Sequence, residues 1–146
     1  MTNHHPDTEQ AIRAWLTELQ DCVRAVDYER AGQLFAPDVV GFGTYASMVR
    51  GLPALRAEQW SNIWPTIRNF TFRLDELHWG ADPSGSLAWA ACPWDSTGFH
   101  AGGTPFARPG RVTIILERRD GKWLAVHTHF SLYPRTSVGV LPVLTP

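Results

Sequence analysis

Cysteine is scarce in this chain: Cys22 and Cys92 are the only two among 146 residues. A disulfide scaffold needs more. Two distant thiols in an apolar-rich chain read as reduced, buried small hydrophobes, which fits a cytoplasmic protein. Charge of one sign is missing too. Thirteen Lys and Arg stand against fourteen Asp and Glu, a net charge of -1, so neither nucleic acid nor an anionic membrane is expected as a partner. The Arg118-Arg119 pair reads as a solvated hairpin end. No apolar run approaches the roughly 20 residues that a membrane helix requires. The opening MTNHHPDTEQ has no basic-then-apolar character, so no secretory signal is expected and His4-His5 reads as solvated. Repeats and low-complexity segments are absent.

Apolar residues are plentiful. They make up 44% of the chain against 18% charged, enough for one globular domain over 1–146, with its core at about 8–135 and an apolar tail at 136–146. The tail is expected to dock on its own domain or on a partner subunit. Asp7 or Thr8 can cap a long first helix whose stripe is Ile12, Trp15, Leu16, Leu19, Val23 and Val26. Residues 28–35 read as a short second helix stopped before Pro37, and 38–43 as a short strand. A third helix opens at Gly51-Leu52-Pro53 and ends at Pro65. Leu55, Gln59 or Trp60, Ile63 and Trp64 share its inner face.

From 69 onward the chain reads mostly as sheet. One strand is expected over 69–79, a turn over 82–85, a second strand over 86–97 and a glycine- and proline-bearing connection over 98–109. Residues 111–134 then form a hairpin around Asp120-Gly121. Alternation along its second strand places Trp123, Ala125, His127, His129 and Ser131 on one face, and Leu124, Val126, Thr128, Phe130 and Leu132 on the other. Three helices followed by a meander of four long strands predict an α+β fold, in which a curved antiparallel sheet wraps the long helix and leaves a pocket at its open end.

LFAPDVVGFG, the helix bearing Trp60, and RRDGKWLAVHTHFS resemble the SnoaL-like and ketosteroid isomerase-like families of the nuclear transport factor 2 fold superfamily. Gly121-Lys122-Trp123 followed by His129-x-Ser131 looks most like the branch of the calcium/calmodulin-dependent protein kinase association domain. The resemblance implies a cone-shaped barrel of curved antiparallel sheet around the N-terminal helix. It does not carry ketosteroid isomerase chemistry across. That chemistry uses a carboxylate base, a tyrosine and a protonated aspartate. Their positions fall near Gly43, Leu19 and Thr113, none of which can serve.

The candidate site is therefore built from strand and helix faces. His129 is the candidate acid or base, with Asp95 or Tyr45 assisting; Trp60, Trp64, Trp89, Trp94, His127 and Ser131 are candidate ligand contacts. His127-x-His129 has metal-ligand spacing, but nothing nearby completes a set, so no metal and no cofactor are expected. Two functions follow. One is a protein that binds a small apolar or aromatic ligand and catalyses proton transfer of the isomerase, cyclase or dehydratase type. The other is a non-catalytic ligand-binding or oligomerisation domain. A homodimer is expected, built on the face carrying Val126, Thr128 and Phe130.

Overall fold

The computed structural model describes residues 5–134; His4 and the tail at 136–146 lie outside the described residues. Helix α1 spans His5–Ala25, with Asp7 in its first turn and Arg24 in its last, both favourable to the helix dipole. Ile12, Trp15, Leu16, Leu19 and Val23 of the expected stripe are buried, joined by Cys22, while Val26 lies past the helix end in the left-handed region (φ 53°). Each fully buried aliphatic side chain of this kind contributes about 1.5–3 kcal/mol. Burial also pushes the Cys22 and Cys92 thiols up to about 11. Polar side chains fix the docking of the helix. Arg24 donates to the Phe70 carbonyl (2.7 Å), Gln20 accepts from the Phe72 amide (2.8 Å) and the Trp15 indole donates to the Leu34 carbonyl (3.0 Å).

Helix α2 (Tyr28–Gly32) is capped by the Asp27 side chain and stops earlier than the sequence suggests, because Phe35 already belongs to strand β1 (Phe35–Phe42). After β2 (Met48–Arg50) come α3 (Leu52–Leu55), a π-helical turn (Arg56–Trp60), α4 (Ser61–Ile63) and a 3₁₀ turn (Trp64–Thr66), which run on without a break. The strand expected over 69–79 is two strands. β3 (Arg68–Phe72) and β4 (His78–Ala81) are separated by a 3₁₀ turn at Leu74–Glu76, and both pair with β5 (Leu87–Phe99). The connection before the hairpin contains a short strand, β6 (Pro105–Ala107). Strands β7 (Gly110–Arg119) and β8 (Lys122–Leu132) form the expected hairpin, with Asp120 (φ 50°) and Gly121 (φ 78°) both left-handed, as a tight primed turn requires.

The sheet runs β2-β1-β8-β7-β5-β3, with β4 and β6 attached to β5. It is mixed: β1 lies parallel to β8, where only antiparallel pairing was expected. One irregularity decides the rest. Ile115 pairs with His127 and Leu116 with Ala125, so Val126 is an extra residue on β8. A β-bulge reverses the alternation beyond it. Ala125 and Thr128 are both buried, Phe130 packs inward, and His127, His129 and Ser131 turn to the outer face. The expectation that the histidines face the core is thereby corrected, as is the exposure expected of Thr128 and Phe130.

Candidate functional site

The concave side of the sheet, α1 and the helical segment after β2 enclose a cavity of about 40 Å³, room for roughly three waters at 10–15 Å³ each. Leu19 and Val23 of α1, Phe35, Ile67, Phe70 and Phe130 supply its apolar wall. The π-helical turn supplies the rest of that side. Its wider winding turns two consecutive residues inward, so Gln59 and Trp60 are both buried where a regular helix would choose between them. Trp64 follows one turn later and stacks on Trp60, with centroids 4.7 Å apart and planes 17° from parallel. Phe35 supports Trp60 at 5.0 Å and Tyr28 supports Trp64 at 5.5 Å.

β5 turns its even-numbered residues inward, and Trp94 is 1% exposed on that row. Gly110 makes room for it: a Cβ there would collide with the Trp94 indole and the Ser131 carbonyl. Next to Trp94 lies the half-buried Arg108, held by two backbone bonds to the same residue of β5. Its amide donates to the Ser96 carbonyl (2.9 Å) and its carbonyl accepts from the Ser96 hydroxyl (2.7 Å). The guanidinium donates through Nη2 to Thr44 Oγ1 (2.9 Å) and lies 5.7 Å from the Trp94 ring centroid. Among the described residues no carboxylate pairs with it, and desolvation holds its pKa below the usual guanidinium value. Gln59 is 6% exposed, and its amide nitrogen sits where a Cβ on residue 43 would be, so Gly43 is what admits it.

The structure brings together Trp60, Trp64 and Trp94 of the expected set and separates the others. Trp89, five residues before Trp94, lies on the opposite face of β5 and is 46% exposed. His127, His129 and Ser131 face outward with it. The His127 ring meets the Val40 carbonyl through Nδ1 (2.9 Å), and both imidazoles stand edge-on to Phe42, at 5.1 and 5.0 Å. Ser131 accepts from the Arg111 guanidinium (2.8 Å). Asp95 is also outward, in a two-bond pair with Arg73 (2.9 and 2.7 Å) that holds its carboxyl below the usual range. It is no neighbour of His129, which is flanked across the sheet by Thr113 and then Ala91. Tyr45 is in a loop and 77% exposed. Gln59 was legible only as an alternative to Trp60, while Thr44, Arg108 and Phe130 were missed. Arg108 lies in an aperiodic connection without a pattern to mark it, and Phe130 is hidden by the bulge. No three His, Cys, Asp or Glu side chains gather as a metal set among the described residues, and no helix there is long and apolar enough to cross a membrane.

Comparison with solved structures finds the same fold repeatedly. A nuclear transport factor 2-like superfamily protein from Salmonella enterica is 20% identical, with a TM-score of 0.77 over 92% of this chain and 97% of the other. An NTF2-like protein of unknown function from Pseudomonas putida is 23% identical, with a TM-score of 0.72 over 90% and 91%. The association domain of Caenorhabditis elegans CaMKII is 15% identical, with a TM-score of 0.67 over 88% and 99%. These likenesses concern the fold. No curated protein matches the chain. A family profile described as "SnoaL-like domain" matches residues 12–136, which is most of the chain. The protein belongs to the SnoaL-like domain family.

Proposed function

We propose that this protein binds a small, largely apolar or aromatic organic molecule in the cavity between α1, the π-helical turn and the sheet, and that it does so as a homodimer. The observation that carries the reading is the lining itself: stacked Trp60 and Trp64, Phe35, Phe70 and Phe130 around a few polar groups. A concave aromatic pocket with sparse polar anchors is the usual form of a small-molecule site. Its volume is small beside drug-sized pockets and below the roughly 150 Å³ of a cavity that takes benzene, which favours a ligand of only a few non-hydrogen atoms. Proton-transfer chemistry has less support. The groups that could carry it, His129, Asp95 and Tyr45, lie outside the cavity, and among the described residues Arg108 is the one ionisable side chain in its lining.

Assembly is supported by the outer sheet face. Trp89, Ile115, Ala91, Thr113, His129 and Phe42 form adjoining rows there, an apolar surface with few charges that a second copy would cover. The fold it shares with an association domain agrees with this. The face differs from the one expected, since Thr128 and Phe130 are inside. Native mass spectrometry of untagged protein tests both halves. A dimer carrying added small-molecule mass, lost in Trp60→Ala, is expected. A monomer at micromolar concentration refutes the assembly. A dimer that stays empty after incubation with a metabolite extract refutes the ligand.

A further inference from the structure

Two buried polar atoms of the cavity lining, Trp94 Nε1 and Gln59 Nε2, are donors that meet no acceptor among the described residues. An indole N–H and an amide NH₂ cannot accept in their place. Thr44 Oγ1 already accepts from Arg108, which leaves its hydroxyl proton free to be donated. Arg108 brings a positive charge and a planar fork, and among the described residues the cavity lining holds no carboxylate to answer it. Buried donors left unpaired cost free energy, and an under-solvated cation costs more. Each of these costs is removed by the same kind of ligand group, one that is anionic, rich in lone pairs and free of protons to donate.

Charge and shape narrow the class. One guanidinium neutralises one negative charge, so a doubly charged phosphate would leave charge unbalanced beside Phe70, Phe130 and Trp94. A carboxylate carries one charge, is planar, and matches the guanidinium fork. The remaining wall is aromatic and flat, and the space is small.

We propose that the cavity takes a small planar organic monocarboxylate, with its carboxylate among Arg108, Trp94 Nε1, Gln59 Nε2 and Thr44, and its apolar body against the Trp60–Trp64 pair. This rests on reading the cavity as a ligand site, and the test separates the two claims. Isothermal titration of the whole chain compares acetate with its neutral counterpart ethanol, in wild type and in Arg108→Gln. Acetate is expected to bind at least tenfold tighter than the alcohol. Arg108→Gln is expected to weaken acetate by roughly 10–100-fold, the range for a hydrogen-bonded charge, and to leave the alcohol unchanged. Should Arg108→Gln fail to fold, Gln59→Leu serves instead, with an expected loss of roughly three- to tenfold for acetate alone. Equal binding of acid and alcohol, insensitive to both variants, overturns the carboxylate and leaves the cavity reading standing. Binding of neither at millimolar concentration overturns both.

Discussion

Thr128 offers a sharp test of how polar burial is distributed in this fold. Its side chain points inward from β8, it is 1% exposed, and its hydroxyl oxygen has no hydrogen-bond partner among the described residues. The surroundings are tight and apolar. A Cβ added to Gly41 would stand 3.1 Å from that oxygen and 3.0 Å from a Leu55 methyl. Unlike Gln59 and Trp94, Thr128 does not line the cavity, so a ligand cannot relieve it. Thr128→Val keeps the branched shape that suits a strand and removes the stranded hydroxyl. Leaving such a group unpaired costs about 1–3 kcal/mol, so the variant should gain about 1–2 kcal/mol after imperfect repacking of the added methyl. For a chain near 150 residues that raises the melting temperature by roughly 3–6 °C. Chemical denaturation should show a higher midpoint at unchanged slope, the signature of altered stability alone. A loss of 1 kcal/mol or more would refute the reasoning, because it would mean that the hydroxyl does find an acceptor.

Two further outcomes follow from local geometry. Gly110→Ala should destabilise the fold by about 1–3 kcal/mol, since the new Cβ meets the Trp94 ring and the Ser131 backbone, and the backbone cannot yield cheaply. A red-shifted tryptophan emission should accompany it; an unperturbed midpoint would show that the sheet opens freely there. Asp82 organises the β4–β5 turn by accepting from the Ser84 and Ser86 hydroxyls and from the Ser86 and Leu87 amides. The Ser84 hydroxyl first, then the Leu87 amide, hold its pKa down to about 2. A depressed carboxyl stabilises the fold fully above its unfolded value of about 3.9 and loses that contribution as pH falls through the folded one. Asp82→Asn should therefore be less stable than wild type at pH 7, with the gap closing between about pH 4 and pH 2 in urea titrations. A gap that stays constant down to pH 2 would show that the charge plays no part.

The fold was legible because most of its signals are local. The stripe on α1, Pro53 opening the third helix and the Asp120-Gly121 turn each determine their own element, and the structure keeps all three. What sequence could not supply was parity across the sheet. Strict alternation puts Ala125, His127 and His129 together, and a single extra residue at Val126 parts them. Nothing in Leu124-Ala125-Val126-His127 marks that bulge, which is visible only in the pairing, where the registers of both β7 and β1 against β8 shift between Ala125 and His127. The separation of Trp89 from Trp94 is a different matter. Five residues apart on one strand, they cannot share a face unless a bulge lies between, and β5 pairs with β7 without a shift there. The same parity sets Asp95 on the face opposite its neighbour Trp94, and therefore outside the cavity.

The resemblance sets three positions, Gly43, Leu19 and Thr113, against the base, tyrosine and acid of ketosteroid isomerases, and the structure places each of them. Leu19 lines the cavity with an alkyl group, and Thr113 points away from it, paired with His129 on the outer face. At Gly43 the Gln59 amide fills the space that a side chain there would need, so a carboxylate at residue 43 would have to displace that amide. General acid–base catalysis needs a group that titrates near the working pH. Arg108 does not qualify, for although desolvation lowers its pKa, a guanidinium stays protonated wherever a protein folds. On the reading proposed above, the guanidinium and the stacked indoles serve to hold an anion, and any proton transfer in the cavity would have to draw on a group other than Arg108.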